Sequence, residues 1–192
     1  MKTRNLMLTL VLAGSLGLVA CQQDYGKTVE QGRCVAFEND KVTFVLDTNV
    51  NPKEAPKYSD KVRTFSMPAD PKEIGPAPEA GNFISVDADK GTIQVFVDGA
   101  VQTIAVADMK AQKGLESHDP LVKGKKFPMV NKEKNEITVY SKKTLVTFPV
   151  PQALANVDEN FWKIGDNVRV FTKEEGKALR FMNITKTNIF KK

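Results

Sequence analysis

The chain has 192 residues, 41% of them hydrophobic and 27% charged, with 28 Lys+Arg against 23 Asp+Glu and a net charge of +5. A chain of this length buries one sizeable core or two small ones. One histidine and two cysteines exclude the usual zinc ligand sets, and no acidic loop of the calcium-binding pattern is present.

The chain opens MKTRNLMLTLVLAGSLGLVAC. Lys2 and Arg4 give a short positive start, and the apolar run from Leu6 to Ala20 is broken only by Thr9, Gly14, Ser15 and Gly17. That run is shorter than the roughly 20 apolar residues that span a bilayer. A basic start, a short apolar centre and small residues before a cut describe a secretory signal peptide over residues 1–20. The run is not amphipathic and turns polar at once, which sets it apart from a core helix. Leu18, Val19, Ala20 and Cys21 form the cut site, and this motif resembles the lipobox of bacterial lipoprotein precursors. The resemblance implies that the Cys21 sulfur, a strong nucleophile, takes a diacylglycerol, that the chain is cut before it, and that the new amine is acylated. Several acyl chains, at about 0.8 kcal/mol per buried methylene, make a permanent anchor where one chain alone is marginal. No cofactor is expected beyond this lipid. Gln22 resembles an outer-membrane sorting signal, so in a cell with two membranes the expected address is the periplasmic leaflet of the outer membrane.

Removing residues 1–20 takes away Lys2 and Arg4 and no acid, so the net charge falls from +5 to +3. That balance does not require a nucleic-acid partner. With Cys21 committed to lipid, Cys34 has no partner for a disulfide, and its place at the start of an apolar run reads as a small buried hydrophobe. Residues 21–32 are polar and without periodicity and are expected to form a lipidated tether.

Beyond the tether the pattern alternates. Val42, Phe44 and Leu46 share one face, as do Ile93, Val95 and Val97; Glu136–Tyr140 and Asn167–Phe171 repeat the pattern. Period two with β-branched and aromatic residues predicts half-buried strands, and END, DADKG, NKEKN and KEEG are short polar turns suited to hairpins. FISVDADKGTIQVF (83–96) aligns without a gap on FPMVNKEKNEITVY (127–140), and VRTFSMP (62–68) is similar to LVTFPVP (145–151). Each of the latter pair is followed by a polar connector, a glycine and another hairpin. The chain therefore reads as two copies of one unit: hairpin, third strand, connector, closing hairpin. The expected fold is all-β, with two tandem five-stranded barrels of OB or SH3 type, each with a short helical or irregular connector. The first covers 33–106, the second 127–192, and 107–126 is the expected linker. All ten strands merging into one larger sandwich is the alternative. The end of the second copy, FWKIGDNVRVFTKEEGKALRFMNITK, resembles the C-terminal half of a ribosomal-protein OB module, which implies a fold and no function.

Few residues suggest chemistry. Gly26-Lys27-Thr28 lacks the upstream glycine of a phosphate loop, since Cys21 stands there. Ser117-His118-Asp119 names the members of a hydrolase triad, but such triads converge from separate segments, and the only histidine lies in the expected linker. Lys123, Lys125 and Lys126 make a small basic patch. Phe96, Tyr140 and Phe171 lie on strand faces opposite the expected core and are the candidate ligand face, suited to stacking on sugar rings. The whole chain resembles a small uncharacterised lipoprotein family of sulfate-reducing bacteria, which implies no known activity. The expected function is a lipid-anchored envelope lipoprotein with a soluble β-rich binding or structural domain and no catalytic residues. The alternative is a barrel for a glycan- or oligonucleotide-type ligand, with a hydrolase third. The expected partners are the membrane, through its anchor, and another envelope protein or polysaccharide; nucleic acid is not expected.

Overall fold

The structure is a computed structural model that describes residues 28–49, 51 and 54–187. Leu18, Val19, Ala20 and Cys21 lie outside the described residues. The first strands form a meander: β1 (Thr28–Glu38), β2 (Lys41–Asp47) and β3 (Tyr58–Ser66). Asn39 and Asp40 both take positive φ in the β1–β2 turn, as a tight hairpin requires. The polar stretch Thr28–Gly32, expected in the tether, is the start of β1. Its polar side chains are used: Glu30 pairs with Arg63 at 3.1 Å, and buried Gln31 donates to Asp47 at 3.1 Å. Asp47 also accepts from the backbone of Asn49 and Lys57, closing the neck of the loop between β2 and β3.

Two further meanders follow. The first is β4 (Phe83–Asp87), β5 (Thr92–Val97) and β6 (Ala100–Ala105). The second is β8 (Met129–Asn131), β9 (Glu136–Ser141) and β10 (Thr144–Pro149), with β7 (Lys110–Lys113) added along β10. The repeat seen in the sequence is real in three dimensions. Val86 pairs with Ile93 as Val130 pairs with Ile137. The correspondence also runs on into the third strand, where Ile93 meets Ile104 and Ile137 meets Phe148. Both second turns have two residues at positive φ, Asp98-Gly99 and Lys142-Lys143. The repeated apolar faces then pack on each other: Ile93 and Val95 join Ile137, Val139, Phe148 and Trp162 in one core. Burying like face against like face removes both from water in a single sandwich.

The chain is all-β, but two tandem barrels do not form. The closing hairpin of the second copy, β11 (Asn167–Thr172) and β12 (Arg180–Asn183), lies beside β1, with Gly32 opposite Val168. The resulting five-stranded sheet has the order β12-β11-β1-β2-β3 and a core of Cys34, Val42, Phe44, Phe65, Val168, Val170 and Phe181. It curls until the end of β3 meets the turn before β12 through one parallel bridge, Ser66 to Lys177. No continuous ladder follows, and none of the sheets described is closed into a barrel. The two copies have thus exchanged closing hairpins. The physical reason is that the apolar face of β11 continues the face of β1 that carries Cys34, while β5 has the like face of β9 to cover it. The expected linker also contains a strand, β7, whose residues are all exposed and so carry no hydrophobic alternation. The connectors are single 3-10 turns at Pro71–Glu73, Gln152–Leu154 and Glu159–Trp162.

Candidate functional site

Residues 82–164 leave and rejoin the five-stranded sheet at one point. Gly81 N–H donates to Cys34 O at 3.1 Å, and Cys34 N–H donates to Asp166 O at 2.8 Å. Gly81 and Gly165, the glycines that end the two connectors and precede the two closing hairpins, pack against each other there. A Cβ on Gly165 would stand 1.8 Å from Cys34 O, and one on Gly81 would stand 2.3 Å from Lys163 O. Around the crossing lies a polar cluster. The Asp166 carboxylate accepts from Glu79 N–H at 2.9 Å and from the wholly buried Asn183 amide at 2.8 Å. Lys186 bridges Glu79 at 3.0 Å and reaches Asp166 at 3.5 Å. On the other side, Arg33 donates to the Tyr58 hydroxyl at 2.7 Å, and that hydroxyl donates to Asn167 at 2.8 Å. Burial pushes the Tyr58 hydroxyl above its ordinary pKa, and the Arg33 charge partly opposes this. Arg169 holds the Gln31 amide oxygen through two bonds of 3.0 and 2.7 Å.

These groups satisfy one another: no buried side-chain nitrogen or oxygen among the described residues lacks a partner. Such a closed network of buried groups specifies a fold. Sequence reasoning missed it because Gln31, Arg33 and Asp47 sit in polar or alternating stretches where a polar side chain reads as solvated.

Two clefts lie on the inserted sandwich. The larger, about 560 Å³ and broadly open, is lined by Asn82, Asn156, Asp158, Asn160, Phe161 and Lys163. Its groups are partly committed. Asp158 caps the Glu159–Trp162 turn, Asn82 donates to Phe96 O at 2.8 Å, and Phe161 stands edge-on to Trp162 at 5.5 Å. The smaller, about 230 Å³, is lined by Lys132, Glu159 and Trp162 among others, and Lys132 and Glu159 pair at 3.1 Å. Each cleft holds one carboxylate, so neither offers the carboxylate pair of a glycosidase.

The three candidate aromatics are on three different sheets. Phe96, on β5, packs with Val35, Val45 and Ile84 where the five-stranded sheet meets the sandwich. Tyr140, on β9, donates to Leu115 O at 2.8 Å, and its ring lies 5.8 Å from Phe127. Phe171, on β11, stands opposite Val29. They form no continuous row. Ser117 and His118 are exposed beside Asp119, whose carboxylate accepts from Leu121 N–H at 2.9 Å and so caps its own turn. Cys34 is completely buried, and burial first, then the nearby Asp166 charge, push its thiol up to about 12. No group of three or more His, Cys, Asp or Glu fit to hold a metal occurs among the described residues, and no helix there is long and apolar enough to cross a membrane.

No curated protein and no solved structure matches the chain. A domain of unknown function, DUF4881, matches residues 24–192, and the chain belongs to that family.

Proposed function

We propose that this chain is an envelope lipoprotein, with a β-rich binding or structural module held at a membrane surface by lipid on Cys21. The observation that carries this reading is Leu18-Val19-Ala20-Cys21 at the end of a short apolar run with a basic start. The family match, residues 24–192, falls wholly within the portion that cleavage before Cys21 would leave. A diacylglycerol and a third acyl chain bury enough methylenes to make the attachment permanent. The test is the intact mass of the protein from a membrane fraction, for wild type and Cys21→Ala. Loss of residues 1–20 with the gain of a diacylglycerol and an acyl chain, abolished by the substitution, is the expected result. An unlipidated mass ending at another cut would overturn it.

One observation favours the ligand-binding alternative. The strand order β12-β11-β1-β2-β3, with the parallel bridge from Ser66 at the end of β3 to Lys177 in the turn before β12, follows a partly open barrel of OB type. Barrels of that type bind oligosaccharides and oligonucleotides on the face of their second and third strands. Here Val45 of β2 is covered by Ile84, Phe96 and Val101 of the inserted sandwich. The chain's own insertion therefore takes up part of the surface on which such a barrel would bind, and the structural reading stands first.

A further inference from the structure

The loop between β7 and β8 is built around two buried side chains. Leu115 and Val122 are 6% and 5% exposed. Tyr140 holds the Leu115 carbonyl. Val122 and Lys123 N–H donate to Asp119 O at 2.9 and 2.7 Å, and Lys125 N–H donates to Val122 O at 3.1 Å. The loop is thus a folded structure, and it turns Leu121 outward between its two anchors. Four large hydrophobic side chains are exposed among the described residues, and two of them, Leu121 at 40% and Met129 at 43%, flank Lys123, Lys125 and Lys126. Those three lysines are exposed and enter no ion pair among the described residues. Where the loop leaves the sheet, Lys113 pairs with Asp89 and Lys143 with Glu116, each at 2.6 Å. The contact of Lys113, the last residue of β7, with Asp89 puts the start of the loop beside the β4–β5 turn, at the opposite end of β5 from Phe96, which packs with Val101 on the five-stranded sheet.

We infer that this loop is a second membrane contact, with Leu121 and Met129 entering the headgroup region of an anionic bilayer while Lys123, Lys125 and Lys126 bind its phosphates. The inference rests on the anchored reading above. Exposed apolar side chains with lysines between them in the chain fit the boundary between headgroups and acyl chains, where each part meets its own solvent. Basic residues gain from an anionic surface within a Debye length. A soluble polymer would reward the lysines alone and leave Leu121 and Met129 in water. Because the loop is already folded, docking requires little further ordering. The lipid on Cys21 and this loop on the sandwich make two points of attachment.

The experiment uses the acylated protein in vesicles of phosphatidylcholine, with and without phosphatidylglycerol. An environment-sensitive fluorophore is placed on Leu121→Cys, or on Ile74→Cys as the control, since Ile74 is similarly exposed in the connector bridged to β12. Cys34 is buried and stays unlabelled. The expected result is a blue shift with quenching by brominated lipid for the label at 121 on anionic vesicles only. High salt, or Lys123→Glu, Lys125→Glu and Lys126→Glu together, abolishes it, with unchanged melting temperature. At about fivefold per lysine, loss of the three positive charges weakens the contact by roughly 150-fold, and the introduced glutamates weaken it further. A label at 121 that remains in water on both vesicles overturns the inference. So does a shift produced by soluble dextran sulfate with no quenching by brominated lipid, which would assign the lysines to an anionic polymer. Failure of the anchor is read separately: a mass without lipid sinks the lipoprotein reading, while the label at 121 still reports on the loop with added anionic vesicles.

Discussion

Cys34 joins the core of the five-stranded sheet to the crossing at Gly81 and Gly165. Its thiol is pushed up to about 12 by burial and by Asp166, from an ordinary value of 9.0. The folded chain therefore keeps this proton where the unfolded chain has lost it. The stability linked to it is complete below about pH 9 and is lost as pH rises towards 12, at about 1.4 kcal/mol per pH unit. Cys34→Ala removes this slope and leaves a constant loss of about 1 kcal/mol for the vacated volume. Urea unfolding of both proteins between neutral and alkaline pH checks this. Parallel curves would show that the buried thiol is not linked to folding. Of the residues around Cys34, only its own apolar setting was legible in the sequence. The closeness of Asp166 depends on a crossing between segments far apart in the chain, which no local pattern encodes.

That crossing governs how the elements are arranged. Two chain passages and β1 meet at Gly81, Gly165 and Cys34, so closely that no side chain fits. Gly165→Ala is expected to destabilise the protein by about 3 kcal/mol or more, because the backbone of Cys34 must move. Gly99→Ala is the comparison: its φ is +78° but nothing lies within 4 Å, so the loss is only the roughly 1–2 kcal/mol of a left-handed alanine. Denaturant midpoints of the two variants measure the difference, and equal losses would mean that the crossing relaxes freely. The glycines were visible in the sequence as matching positions before matching hairpins, although their contact was not. Strand existence was equally legible at Ile93-Val95 and Ile137-Val139, where alternation marks a face. β7 was invisible because KAQK has no buried face. Partner choice was invisible too. Alternation tells which side of a strand meets the core, but the bonds from β1 to β11 are made by backbone groups that every residue carries.

For the whole molecule, the exchange of hairpins decides whether the chain divides. A cut within the expected linker, giving residues 22–110 and 120–192, separates partners in both main cores. The first piece keeps Cys34, Val42, Phe44 and Phe65 but loses Val168, Val170 and Phe181. In the sandwich, Phe83, Ile93 and Val95 part from Ile137, Val139, Phe148 and Trp162. β1 loses β11 from one edge, and β11 keeps only β12. Each piece then exposes a half-core and an unpaired strand edge, so neither is expected to unfold cooperatively alone. Mixed together, the two regain every pairing except those through the cut segment and are expected to fold. The single tryptophan reports the event directly: Trp162, 3% exposed in the intact chain, would emit as a solvated indole in 120–192 alone and shift to the blue on addition of 22–110. Cooperative unfolding of either piece by itself would mean that the copies retain independent cores, and that the exchange of β11 and β12 for β4 and β5 contributes little to folding.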